Sequence, residues 1–431
     1  MQRTAETKFL QWRDDPARKP LIVRGARQVG KTYSITNFGN QHFNKFIKID
    51  FEQESSLRKI FAEDLRPEKI IELIEIEKKI DITPGDTLLF FDEIQLCPRA
   101  LMALRYFFED FNQLHVIAAG SLLEFEIDKI SFPVGRVEFM FMYPLSFDEF
   151  LLATDNERLL PQRPTLDDNR SLPEMIHHKF LQLLKEYFFV GGMPEAVATY
   201  RSSSMSKVSE IHENLIISFL QDILKYEKNL DIEILRSVLE QIPAFVGQQI
   251  KYSNILAGCT TYKIKQALNI LMKCLLIHKV SHSSANGLPL LAGKNELIFK
   301  YCFLDIGLMQ SMCGIAHGEI LQSNDLTKCY AGALSEQYIG QELLTSGGSQ
   351  RDRLFYWRRA QKNSNAEIDY LMVRDGEIMP VEVKCGPAGK LKSLHLFLNE
   401  HPTISRGLVF NSGNMGRVDK LHFYPLYTRL G

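Results

Sequence analysis

The stretch LIVRGARQVGKT, Leu21 to Thr32, narrows what this chain can fold into more than any other. An apolar run, Leu21-Ile22-Val23, enters a segment spaced G-x-x-x-x-G-K-T, with Gly25, Gly30, Lys31 and Thr32 at the fixed positions. Glycines let backbone N–H groups curl around an anion, and a helix that follows aims the positive end of its dipole at the same place. Gly25, Ala26, Arg27, Gln28, Val29, Gly30, Lys31 and Thr32 therefore read as a cradle for the phosphates of ATP. Lys31 would reach the β- and γ-phosphates, and the Thr32 hydroxyl would ligate Mg²⁺.

The strands that follow fit a parallel α/β sheet. Phe46 to Phe51 is a second strand, and Leu57 to Ile82 has helical periodicity. Thr87 to Phe91 is apolar without alternation, as expected of a strand covered on both faces, and it ends in Asp92-Glu93. That puts two carboxylates at the carboxyl end of a central strand, where open α/β sheets bind ligands. Asp92 would hold Mg²⁺ through water and Glu93 would polarise the attacking water. His115 to Ser121 reads as a fourth strand. Ser121 either senses the γ-phosphate, positions the water, or caps the next helix. Arg136, in the turn Phe132-Pro133-Val134-Gly135-Arg136, either neutralises transition-state charge, in its own site or a neighbouring subunit's, or is a surface arginine.

Net charge is -1, so attraction to nucleic acid must come from a local patch. One such patch exists: Gln241 to Asn295 contains no Asp or Glu but carries Lys251, Lys263, Lys265, Lys273, Lys279 and Lys294 with His278 and His282. Its pattern fits a winged helix-turn-helix, with helices at Ile234–Ile242, Tyr252–Ala257 and Thr261–Leu276 and a β-wing from Ile277 to Phe299. DNA contact through region 251–294 is the first expectation; a protein-docking winged helix is the alternative. The chain opens without a secretory signal, and no run is long enough to span a bilayer. The seven cysteines are scattered, without a C-x-x-C pair, so they read as reduced residues of a cytoplasmic protein.

Near the carboxyl end, Gly332 to Leu344 reads as a helix carrying Glu336, followed by strands at Leu354–Trp357, Glu367–Val373 and Met379–Lys384. If the last two pair as a hairpin about Asp375-Gly376, Asp369 comes to lie near Glu382. That Asp, then Glu-x-Lys arrangement resembles the site of restriction-endonuclease-like and Holliday-resolvase-like nucleases, which implies that the two carboxylates hold Mg²⁺ and that Lys384, on the same strand face as Glu382, lies near a scissile phosphate. Glu336 would add a ligand from the helix. The same fold can also persist as a binding platform without cleavage.

Taken in order, GARQVGKT, FFDEIQ, AAGSLLEF, PVGRVEFMFMYPLSFDEFL and GGMPEAV resemble the AAA-type ATPases of bacteria and archaea that carry a C-terminal domain of unknown function. The resemblance makes Gly25 to Thr32 the Walker A loop, Asp92-Glu93 the Walker B pair and Ser121 the sensor-1 position; Arg136 matches the family's Gly-Arg motif. In related ATPases a helical lid packs on the nucleotide, a role open here to the helices after residue 150; a plain connecting bundle is the alternative. The last strands resemble restriction-endonuclease-like and Holliday-resolvase-like nucleases in helix-strand-strand-strand order, with Ile368 where a proline often precedes the aspartate.

The fold expected is α/β: a P-loop AAA-type parallel-sheet domain over 1–150, a helical lid or connector over 151–230, a winged helix-turn-helix over 231–300, and an α/β nuclease-like domain over 301–431. The function expected is a Mg²⁺-dependent ATPase acting on DNA, with a monomer and a homo-oligomer both open. The alternatives are a nucleotide-dependent switch acting through protein contacts, and an ATP-dependent endonuclease whose catalytic residues include Glu336, Asp369, Glu382 and Lys384.

Overall fold

The computed structural model describes residues 3–127, 132–203, 205–226, 231–314, 331–346, 353–361, 364–386 and 390–431. The chain divides into two units, Met1–Tyr143 and Pro144–Gly431.

The first unit is built on five strands: β1 (Leu21–Arg24), β2 (Lys45–Asp50), β3 (Thr87–Asp92), β4 (His115–Gly120) and β5 (Glu138–Phe141). All neighbours run parallel, in the order β2-β3-β4-β1-β5. β3 and β4 are buried along their whole length, which explains why neither alternates polar with apolar residues. Helices α1 (Ala5–Asp14), α2 (Lys31–His42), α3 (Pro67–Lys78) and α4 (Pro98–Asp110) accompany the sheet. The helical stretch expected from Leu57 to Ile82 breaks before Pro67, which opens α3 at the position where its missing N–H costs nothing. Ile22, Ile49, Phe91 and Ala118 from the strands pack with Ile70, Leu101 and Phe107 from the helices. Each large apolar side chain so buried contributes roughly 1.5–3 kcal/mol. Because β1, β3 and β4 are parallel neighbours, the segments leaving their carboxyl ends share one edge of the sheet.

The second unit begins with α5 (Phe147–Ala153), opened by a capping box: the Ser146 hydroxyl accepts from the Glu149 N–H at 3.3 Å, and the Glu149 carboxylate accepts from the Ser146 N–H at 3.0 Å. Then come α6 (Glu174–Val190), α7 (Pro194–Ser202), α8 (Met205–Tyr226), α9 (Ile232–Gln241), α10 (Tyr252–Ile255) and α11 (Thr261–Lys273). The strands β6 (Ile277–Ser283) and β7 (Lys294–Phe303) precede α12 (Ile306–Met312) and α13 (Ala331–Thr345). Last are β8 (Leu354–Arg358), β9 (Glu367–Arg374), β10 (Glu377–Val383), α14 (Lys392–Glu400), β11 (Gly407–Asn411), β12 (Gly416–Val418) and β13 (Leu421–Pro425). These strands form one mixed sheet of eight, in the order β12-β13-β11-β10-β9-β8-β6-β7.

That order alters the reading of the presumed wing. The β6–β7 hairpin does not stand apart, because β6 pairs in parallel with β8, Val280 facing Leu354. Residue 300, taken from the sequence as a domain end, falls inside β7.

Two buried polar joints hold the second unit. Asp305 caps α12, accepting from Leu308 N at 3.0 Å, and also accepts from Gly192 N at 2.6 Å. Gly307 fits closely there, since a Cβ would lie 2.6 Å from both Gly191 N and Val190 O. FLDIGL, Phe303 to Leu308, is thus a structural strand-to-helix junction. Arg163, in the polar 155–173 segment, is buried and pairs with Asp148 at 2.9 Å and Glu342 at 2.8 Å. Among the described residues, no helix is long and apolar enough to cross a membrane.

Candidate functional site

The loop between β1 and α2 bends through left-handed backbone at Gln28 (φ 63°) and Gly30 (φ 94°). Gly25 admits no side chain, because a Cβ would lie 2.3 Å from the Met142 carbonyl oxygen. Ala26 and Val29 are buried anchors, Arg27 is half-buried and Gln28 is exposed. Arg3 braces the loop by donating to Val29 O at 2.9 Å and to Tyr143 O at 2.7 Å. Lys31, the first residue of α2, is buried and donates from Nζ to the carbonyls of Gly25 (2.9 Å) and Ala26 (2.8 Å). Burial lowers its ammonium to about 8, against the opposing pull of Glu93 and Asp92, so it remains charged at neutral pH.

The neighbouring strand supplies the acids. Thr32 Oγ1 donates to Asp92 at 3.0 Å and 3.2 Å, which joins the two groups expected to flank Mg²⁺. Lys48 on β2 lies 2.8 Å from the same carboxylate and 3.1 Å from Asp50. Glu93 follows at φ 51°, and burial raises its carboxyl above the usual range. The Gln95 amide donates to that carboxylate. Ser121, just past the end of β4, is buried, and its hydroxyl has no hydrogen-bond partner among the described residues, so it caps no helix.

These residues fit a Mg·nucleotide. A loop shaped by Gly25 and Gly30, a charged lysine held by neutral carbonyls, and one hydroxyl joined to one carboxylate make an oxygen-rich site that phosphate oxygens and water can complete. Mg²⁺ held by Thr32 and Asp92 would neutralise phosphate charge.

Arg136 is not brought to this edge. It precedes β5, whose first residue Glu138 pairs with Leu21 at the start of β1, whereas the phosphate loop leaves the end of β1. Its guanidinium, 45% exposed, bonds Glu109 at 3.0 Å. Parallel pairing therefore puts Arg136 at the edge of the sheet opposite the phosphate loop.

The second unit gathers the other predicted acids. Asp375 (φ 53°) and Gly376 (φ 78°) turn the β9–β10 hairpin, and the register that pairs Tyr370 with Val381 sets Asp369 opposite Glu382. Asp369 accepts from Val383 N at 2.7 Å, and Lys384 Nζ bonds Glu382. Glu336 on α13 is bonded at 3.0 Å by Lys300, which also bonds Glu367 and is 1% exposed on its side chain. Burial raises the carboxyls of Glu336 and Glu382 above the usual range; Lys300 and Lys384 oppose that rise and Asp369 adds to it. The four predicted residues thus lie within electrostatic reach of one another. Lysines occupy these acids, as Lys48 occupies Asp92 at the phosphate loop, and among the described residues no group of three or more His, Cys, Asp or Glu is arranged to hold an ion.

In the basic segment, Lys263 bonds Asp231 at 3.2 Å, while Lys279 and Lys294 bond Glu296 at 3.2 Å and 2.7 Å. Lys265 lies over the Tyr252 ring. Glu296 borders the acid-free span and Asp231 precedes it on α9's cap, so neighbouring chain partly neutralises the patch.

Four participants escaped the sequence reading: Arg3, Lys48, Gln95 and Lys300. Gln95 stood in FFDEIQ, and Lys48 in the alternation Lys48-Ile49-Asp50. Lys300 stood alone between Phe299 and Tyr301 in an apolar run, a position that calls for a buried acid.

Residues 17–151 match the family model described as an AAA domain. Residues 181–319 match Domain of unknown function (DUF8612), and residues 331–427 match Domain of unknown function (DUF4143). No curated protein matches the chain. Among solved structures, the Orc1 protein of Aeropyrum pernix in complex with DNA is similar at 12% identity and TM-score 0.31, over 72% of this chain and 91% of that one. AMPPCP-bound DnaA from Aquifex aeolicus is similar at 14% and 0.30, over 63% and 88%. Drosophila ORC bound to DNA is similar at 14% and 0.26, over 72% and 84%. Likenesses this loose carry no argument about ligands. The family match and the strand–loop–helix geometry together establish that the amino-terminal unit carries a P-loop domain of the AAA type.

Proposed function

We propose that the chain is a Mg²⁺-dependent ATPase whose nucleotide cycle acts on DNA through region 251–294. The observation that carries the ATPase reading is the convergence of Lys31, the Thr32–Asp92 pair and Glu93 at one edge of the sheet. In the cycle, Lys31 exchanges its two carbonyl partners for phosphate oxygens, and Thr32 and Asp92 hold the ion that offsets phosphate charge. Glu93 polarises the attacking water, and Ser121 senses the γ-phosphate. Arg136, at the opposite edge, acts on a neighbouring subunit's nucleotide if the protein works as a homo-oligomer.

Three helices and a hairpin in the order α9, α10, α11, β6–β7 support a winged-helix reading, with the hairpin doubling as the edge of a nuclease-like sheet. A second reading, a nucleotide-dependent switch acting through protein contacts, is favoured by the pairing of Lys263, Lys279 and Lys294 with acids. ATP-dependent cleavage of DNA by Glu336, Asp369, Glu382 and Lys384 is the weaker extension, because Lys300 and Lys384 already neutralise those acids.

The test is Mg·ATP hydrolysis with and without duplex, single-stranded and four-way-junction DNA. Stimulation by one DNA form, absent in Lys31→Ala, supports the first reading. Turnover indifferent to every DNA favours the switch, and no turnover under any condition removes the ATPase.

A further inference from the structure

Gln95 belongs to no assigned role, yet it is among the most enclosed polar side chains of the first unit. It is 3% exposed and sits in the turn after β3, two residues past Glu93. Its amide has two ends with different fates. The NH₂ end donates to Glu93 Oε2. The carbonyl oxygen, Oε1, is buried and has no hydrogen-bond partner among the described residues. The orientation follows from chemistry, because an ionised carboxylate only accepts and must face the donor end.

Space for the carbonyl is made by Gly120. A Cβ there would lie 2.2 Å from Gln95 Oε1 and 3.0 Å from Leu123 Cγ, so any side chain at 120 would push the amide away. The next residue, Ser121, contributes a second buried oxygen without a partner. A buried amide carbonyl left without a bond costs free energy of its own, and one carried on the amide that bonds Glu93 marks a place for a polar ligand.

We propose that Gln95 is a positioning residue for hydrolysis: its NH₂ holds Glu93 and its carbonyl accepts a hydrogen bond from the attacking water. This rests on the ATPase reading given above. Water has two protons and here finds two acceptors, Glu93 and Gln95 Oε1, so its lone pair is left to face phosphorus. As the oxygen–phosphorus bond forms, the bond from phosphorus to the β–γ bridging oxygen breaks and ADP leaves with that electron pair. The water proton passes to Glu93, giving ADP and inorganic phosphate.

The experiment is steady-state Mg·ATP hydrolysis by the full chain in wild type, Gln95→Met, Gly120→Ala and the double variant, with equilibrium binding of a non-hydrolysable ATP analogue. Methionine keeps the length and removes both hydrogen bonds. The expected result is a kcat lower by about 10²-fold in Gln95→Met, within the range for one positioned group, with analogue affinity and KM within about 3-fold of wild type. Gly120→Ala should reproduce the loss, and the double variant should lose no more than either single, because both remove the same contact. A side chain that only packs would shift melting temperature and analogue affinity and leave kcat in place; that result overturns the proposal. Losses that multiply in the double variant also overturn it. If Gln95→Met does not fold, Gly120→Ala alone decides by the same split between kcat and affinity. Wild type without turnover removes the ATPase reading and this inference together; wild-type turnover with a normal Gln95→Met or Gly120→Ala removes the inference alone.

Discussion

At the phosphate loop Lys31 bonds two backbone carbonyls, whereas in the second unit Lys300 and Lys384 bond the acids themselves. The difference lies in what a ligand must displace. Phosphate oxygens can take Lys31 from neutral carbonyls without leaving a charge unpaired. An ion entering among Glu336, Asp369 and Glu382 competes with ammonium groups already in place, one of them fully buried. Lys31 is poised for exchange; Lys300 and Lys384 are charge-compensated parts of the packing, as Lys48 is beside Asp92.

The largest effects that test this contrast are catalytic. Glu93→Gln should lower Mg·ATP turnover by about 10²–10⁴-fold while nucleotide still binds, and Lys31→Met should weaken nucleotide binding itself. Chelating Mg²⁺ should stop turnover yet leave unfolding of the second unit where it was, read by calorimetry. A large fall in that unit's melting temperature on chelation would show that its acids do hold a metal.

Next in size is Lys300→Met. Glu336 and Glu367 lose a buried partner, and removing one member of such a group costs about 3–5 kcal/mol, measurable by chemical denaturation. Adding millimolar Mg²⁺ to this variant sharpens the comparison. Recovery of stability means the cluster accepts an ion once lysine is gone; no recovery means that its geometry suits only the ammonium.

Asp305 offers a third contrast, an acid buried without any cation. Burial pushes its carboxyl up to about 6 despite the N–H groups of Gly192 and Leu308. The folded state thus holds this proton more tightly than the unfolded chain does. The associated stability is fully present below pH ~4 and lost as pH rises through ~6, on the order of 3 kcal/mol from the size of the shift. Asp305→Asn should flatten the decline in denaturation midpoint over that window. An unchanged pH profile would mean that the backbone donors keep Asp305 ionised.

How much of this was legible depends on sequence distance. The phosphate loop, Asp92-Glu93 and the Asp369–Glu382 hairpin are local patterns of spacing and turn chemistry, readable because neighbours in the chain are neighbours in space. Lys300 meets Glu336 across 36 positions and Arg163 meets Glu342 across 179, so nothing near either residue reveals its partner. The same holds for the β6–β7 hairpin, whose alternation reveals a strand pair but not that β6 also pairs with β8. Arg136 shows the converse: its motif was local, but the edge of the sheet that carries it follows from the parallel pairing of β5 with β1.

The smallest expected effect lies in the basic segment, and it separates DNA from protein as the partner. Lys263 is shared with Asp231, which also caps α9 by accepting from Ile234 N at 3.3 Å. Asp231→Asn keeps an excellent cap residue and frees the lysine. If Lys263 contacts phosphate, the slope of log Kobs against log salt for duplex binding should steepen by up to about 0.9, the value for one further contact. The change should vanish in a Lys263→Gln background, because no freed ammonium remains to make it. An unaltered slope in Asp231→Asn would take Lys263 out of any DNA interface. The acid-paired segment would then be a docking surface, neutralised in the same way as the carboxylate cluster of its own unit.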